Sequence, residues 1–116
     1  MASQFTIDEV PLPKGILLRV NGRLDAKNSQ MLTDRCTALA QAGTGRIVAN
    51  LQGVPFVASS GIGTLLALTE RFQESGGEFR IAAPSDSVRS IVDLLNLSQF
   101  LRIDETEEAG LAAVAA

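Results

Sequence analysis

In Val57-Ala58-Ser59-Ser60-Gly61-Ile62-Gly63, two hydroxyls and two glycines stand between a strand pattern and a helix pattern. Arg46-Ile47-Val48-Ala49-Asn50-Leu51 leads in as a short apolar run, and Thr64 to Phe72 leaves with helical spacing. A strand, a small-residue turn and a helix start are therefore expected, with the helix covering Ser60 to Ser75. The first backbone N–H groups of a helix have no partners within it. Those donors and the helix dipole together favour a negative charge. The rest of the chain is expected to be a scaffold that holds this turn at the surface.

Outward from the turn, the chain alternates strand and helix. Gln4 to Val10 alternates apolar and polar residues, as a half-exposed edge strand does. Pro11 to Gly15 is turn chemistry, and Ile16 to Val20 is denser, as in a more central strand. A helix is predicted over Ala26 to Gln41, with Leu32, Cys36, Leu39 and Ala40 on one face and Asp25 or Asn28 as its cap. Arg46 to Leu51 reads as a strand buried on both faces. In the second helix Ile62, Leu65, Leu66, Thr69 and Phe72 form one stripe, while Gly61, Thr64, Leu68 and Arg71 fall on another. Glu78 to Ala82 is a strand. Ser85 caps a third helix carrying Val88, Ile91, Val92 and Leu95, and Asn96 can close it in the left-handed conformation. Phe100 to Ile103 reads as a last strand, before an alanine-rich helix opened by Thr106-Glu107-Glu108. This order implies an α/β fold with parallel pairing, right-handed crossovers and an antiparallel opening hairpin. The serine turn then lies at the carboxyl end of a parallel strand, where such sheets place functional loops.

Composition narrows the chemistry. The chain has 116 residues, 46% of them hydrophobic, which suits one domain over 1–116 with a core of its own. The formal net charge is −3 and no basic stripe is present, which argues against nucleic acid as a partner. No apolar run is long enough to span a bilayer and no signal-peptide pattern opens the chain, so a cytoplasmic location without membrane insertion is expected. The single cysteine, Cys36, reads as a buried thiol. There is no histidine, which removes the usual general base, the Ser-His-Asp triad and the commonest zinc ligand.

Ser59 and Ser60 carry what chemistry remains. In the plain reading one caps the helix and the other fills the turn. In the sharper one a serine accepts phosphate, adding about −1.5 to −2 charges at the head of the helix. A hydrolytic serine fits poorly, because the turn does not match G-x-S-x-G. A phosphate-binding loop fits poorly too, since the lysine of the P-loop and the third glycine of the dinucleotide fingerprint are missing. Asp25 follows the second strand at the same end of the sheet, as a helix cap or as a carboxylate facing a partner. Arg71 and Arg80 read as plain surface charges, and Glu105, Glu107 and Glu108 as solvated acids.

Gly22-Arg23-Leu24-Asp25, the strand Ile47 to Leu51, Phe56, Ser59-Ser60-Gly61-Ile62-Gly63, Gly76-Gly77 and the Val88-Arg89 to Leu97 segment come in an order that resembles the STAS family. That family is shared by anti-sigma-factor antagonists and sulphate transporters. The resemblance implies a βα superhelix of mixed, mostly parallel sheet with about four helices, no catalysis and no cofactor. It implies binding to a serine-kinase anti-sigma factor, phosphorylation of Ser59 that switches binding off, and a phosphatase that resets it. On this likeness Ser60, Gly61 and Gly63 shape the turn and its close approach, and Asp25, Thr64 and Leu68 are candidates for the docking face. Ala58 stands where the family has an acid. That departure keeps a second expectation open, a non-phosphorylated STAS subunit of another kind, such as that of a lipid-transport ABC complex.

Overall fold

The computed structural model describes residues 4–115. Five strands and four helices follow one another as β1 (Thr6–Leu12), β2 (Gly15–Asn21), α1 (Ala26–Gln41), β3 (Arg46–Gly53), α2 (Ser59–Glu74), β4 (Glu78–Ala82), α3 (Asp86–Leu94), β5 (Ile103–Asp104) and α4 (Glu107–Ala115). The sheet order equals the chain order. β1 and β2 form an antiparallel hairpin and every later pairing is parallel. Each crossover therefore steps to the next strand in the same direction. Right-handed connections of that kind put α1, α2 and α3 on one face of the sheet.

Period-two alternation along the strands divides the core accordingly. Leu18 and Val20 of β2, Ile47, Ala49 and Leu51 of β3, and Phe79 and Ile81 of β4 meet the three helices. Leu17, Val48 and Ala82 point the other way, against Val114 of α4. β3 is thus buried on both faces, as its apolar run predicts. Phe79 and Phe72 pack with ring centroids 6.2 Å apart, which ties α2 to β4. Cys36 lies in this core with its thiol pushed up to about 12 by burial, so no thiolate is available at neutral pH.

Local signals explain the helix boundaries. Asp25 Oδ1 accepts from Asn28 N at 3.0 Å, capping α1. Ser85 Oγ accepts from Val88 N at 3.2 Å, capping α3, and Asn96 closes that helix region at φ 60°. Several expectations need correction. The last strand is Ile103–Asp104, and Phe100 is exposed in the turn before it. Leu95 is an exposed C-cap and Ala40 is solvent-facing. In α1 the apolar stripe instead takes in Ser29. Glu107 is no lone solvated acid: it accepts from Arg19 Nε and Nη2 at 2.9 Å each and from Asn50 Nδ2 at 2.9 Å. These bonds hold its carboxyl below the usual range, Arg19 contributing most. Arg80 is likewise no plain surface charge, since it forms a two-pronged pair with Asp104 at 2.7 and 3.0 Å. These pairs dock α4 and β5 on the sheet.

Ser29 is 2% exposed, and its Oγ has no hydrogen-bond partner among the described residues. A buried hydroxyl without a partner carries an unrepaid desolvation cost of about 1–3 kcal/mol. Ser29→Ala is therefore expected to stabilise the protein by about 1 kcal/mol, read as a higher urea midpoint with an unchanged slope.

Candidate functional site

Beyond their regular pairing, β2 and β3 continue side by side. Gly22 N donates to Gly53 O at 2.9 Å, Leu24 N to Phe56 O at 2.9 Å, and Ala58 N to Leu24 O at 3.0 Å. Leu24 and Val57 pair in parallel and both point into the core. Alternation then sends Arg23 and Asp25 on one strand, and Phe56 and Ala58 on the other, to the outer side. Two helices start from this lacing, α1 just after Asp25 and α2 just after Ala58. Asp25 and Ser59 are thereby brought to one end of the sheet.

The start of α2 differs from the plain reading. The N-cap is Ala58, whose carbonyl takes Ile62 N at 3.0 Å, so the helix begins at Ser59 and neither serine caps it. Among the described residues neither hydroxyl has a hydrogen-bond partner, and both serines are exposed. Among the described residues no side chain caps the helix start, and its first turn carries no acid. Supplying the missing acceptor with Ala58→Asp is expected to stabilise the protein by about 1 kcal/mol, measured by urea unfolding.

The two glycines part company. A Cβ on Gly61 would meet Leu24 O at 2.6 Å and Val57 Cγ2 at 2.8 Å, whereas one on Gly63 would meet nothing within 4 Å. Gly61 therefore serves the approach of α2 to its own strands, while Gly63 is open on the outside. Leu68 also needs correction: it is 1% exposed and belongs to the core, so it has no place on a docking face. Thr64 is half-buried, about one turn on from Ser60 along the helix and beside the exposed Gly63. The outer surface thus holds Asp25, Ser59, Ser60, Gly63 and Thr64.

Two neighbours of this surface have no counterpart among the expected site residues. Arg23 lies over Phe56, its guanidinium carbon 4.3 Å from the ring centroid. Phe56 is 39% exposed. The alternation of Gly22-Arg23-Leu24-Asp25 carried the signal: an inward Leu24 requires an outward Arg23.

Chemically the site offers exposed hydroxyls, helix-start donors that no described side chain caps, and one carboxylate. No histidine exists to activate either serine. The arrangement suits a group that another protein modifies or docks on. The STAS domain model matches residues 6–110. The chain belongs to the STAS domain family. It is 25% identical over 91 residues to the anti-sigma-B factor antagonist of Staphylococcus aureus, covering 78% of this chain and 84% of that one. Among solved structures, an anti-sigma factor antagonist from Mycobacterium paratuberculosis superimposes with TM-score 0.84 at 20% identity over the whole of both chains. The anti-sigma factor antagonist SpoIIAA in its unphosphorylated form gives TM-score 0.76 at 24% identity, over 97% of this chain and 96% of that one. The phosphorylated form of SpoIIAA from Bacillus gives 0.71 at 23%, over 96% and 99%. The STAS fold here is thus the one adopted by anti-sigma factor antagonists, with its mixed five-stranded sheet and four helices. No helix among the described residues is long and apolar enough to cross a membrane.

Proposed function

We propose that this protein is an anti-sigma-factor antagonist that docks a serine-kinase anti-sigma factor through the serine turn and is released by phosphorylation of Ser59. The observation that carries the reading is the state of Ser59. It is the first residue of α2, exposed, without a hydrogen-bond partner for its hydroxyl among the described residues, and set at the same end of the sheet as Asp25. The likeness to SpoIIAA, known in phosphorylated and unphosphorylated forms, supports it. In the step itself the γ-phosphoryl of ATP passes to Ser59 Oγ, ADP leaves, and the hydroxyl proton goes to the kinase's base. This chain is then substrate and binding module, with Asp25, Ser60, Gly63 and Thr64 around the contact and a phosphatase restoring the hydroxyl.

Site-resolved mass spectrometry after incubation with ATP and lysate of the host tests the assignment. Phosphate on Ser59 is the expected outcome. Its absence from both serines, with the kinase shown active on a control antagonist, would overturn it.

Ala58 favours one second reading. An acid at this N-cap is missing, and a constitutive STAS subunit of a transport complex has no need of a phosphorylated turn. Such a subunit co-purifies in a stable complex, and Ser59→Ala leaves its regulation unchanged.

A further inference from the structure

We infer that Arg23 is the counter-charge that receives the phosphate on Ser59, an inference that rests on the reading of Ser59 as the phosphoacceptor. Four observations carry it. The guanidinium of Arg23 makes no ion pair among the described residues, while Arg19, Arg35, Arg80 and Arg89 are each paired with an acid. Its donors are thus unused. It is nevertheless held in place, because it lies 4.3 Å from the centroid of the Phe56 ring. A stacked guanidinium keeps its N–H edge free for an oxyanion, in the planar geometry that suits phosphate. The backbone beneath it is fixed as well: Arg23 O accepts from Asn28 Nδ2 at 2.9 Å, and the next residue is laced to Phe56 and Ala58.

Register brings the two groups within reach. Arg23 stands beside Phe56 on the neighbouring strand, about 5 Å away, and Ser59 follows Phe56 by three residues, at most about 10 Å further along the chain. An arginine and a phosphoserine side chain reaching towards each other close such a gap. The surrounding charges leave Arg23 with a distinct task. Asp25 is on the same side, with its carboxylate accepting from Asn28 N, and Asp86 of α3 lines a groove with Phe56. Both repel a phosphate. Lys27, in the first turn of α1, and Arg89, in the first turn of α3 and paired with Glu105, are further cations of this end by sequence position. In the unmodified protein Arg23 is free to meet an acidic group of the partner. Once Ser59 carries phosphate, Arg23 is engaged within the chain, so modification removes a docking cation as well as adding an anion.

The test needs no kinase. Phosphoserine is installed at position 59 during synthesis, and its second ionisation is followed by phosphorus NMR against pH. A contact with Arg23 favours the dianion, so Arg23→Gln is expected to raise that pKa by about half a unit after solvent screening. Lys27→Gln, which removes the same net charge, is expected to raise it much less. No rise in Arg23→Gln, or an equal rise in both variants, overturns the inference. Failure of the docking reading shows separately, as equal binding of modified and unmodified protein to the anti-sigma factor.

Discussion

Gly61→Ala is expected to lower stability by about 2–3 kcal/mol, whereas Gly63→Ala raises it by about 1 kcal/mol. The new methyl at position 61 would lie 2.6 Å from Leu24 O and 2.8 Å from Val57 Cγ2. Leu24 O is the acceptor of the Ala58 N–H bond that laces the two strand extensions. The clash therefore falls on backbone, which cannot swing aside as the end of a side chain can. α2 must lift off the Leu24–Val57 bridge, and with it goes the register that brings Asp25 and Ser59 to one surface. At position 63 the same methyl points into open space. There it removes only the backbone freedom that glycine brings to the unfolded chain. The chain has no tryptophan or tyrosine, so the pair is best compared by far-UV circular dichroism during urea unfolding. Equal midpoints for wild type and Gly61→Ala would sink the close-approach argument. Opposite signs at two glycines of one turn are hard to obtain from helix propensity alone, which predicts a gain at both.

That contrast also shows what was legible in the sequence. Strands and helices with a cap, a terminator and one dominant period were readable: α1 spans Ala26–Gln41 and β4 spans Glu78–Ala82, as expected. The order of elements was enough for the mixed sheet, because parallel crossovers have one hand. The last strand was not readable, since the apolar residues before it have separate tasks. Leu101 is buried, Phe100 is not, and the ladder itself comes down to Ile103 and Asp104. Nothing local distinguishes a residue that packs under a loop from one that pairs.

The face of α2 shows the limit more sharply. At about 100° per residue, Gly61, Leu65, Leu68 and Phe72 fall within about 60° of each other. That arc is the buried centre, and Gly61 marks it because glycine is where the strand backbone comes closest. A sequence reading guided by side-chain bulk places the centre nearer Leu66 and leaves Leu68 outside. The missing information is tertiary: which part of the apolar arc faces the sheet depends on Leu24 and Val57, far apart in the chain. Arg80 and Glu107 were misjudged for the same reason. Their partners Asp104 and Arg19 lie 24 and 88 residues away. The serine turn was legible as a site because its small residues sit between two strong patterns. The start of α2 was displaced by one residue because Ala58, without a capping side chain, is fixed as N-cap by backbone bonds alone.

Phosphate on Ser59 is expected to weaken docking on the serine-kinase anti-sigma factor by about 1–3 kcal/mol or more, roughly 5- to 150-fold in affinity. The sign follows from where the charge goes. At the head of α2 it meets N–H donors that no described side chain caps and the positive end of the helix dipole, so the folded protein accommodates it. Stability should hold or rise by a few tenths of a kcal/mol, and the thermal midpoint with it. A partner docked there as proposed would, in contrast, have to desolvate a dianion where it otherwise meets a neutral hydroxyl. Calorimetric titration of the purified pair, with and without phosphate, measures the difference, and equal affinities would remove Ser59 from the switch. Ser59→Glu carries less charge than phosphate, so its loss of affinity should be smaller in the same direction. Ser59→Ala is the decisive companion. The hydroxyl makes no hydrogen bond among the described residues, so its removal costs the fold nothing. This variant should bind as tightly as the unmodified protein and no longer respond to ATP. A fall in its affinity would assign the hydroxyl to the contact itself rather than to its regulation.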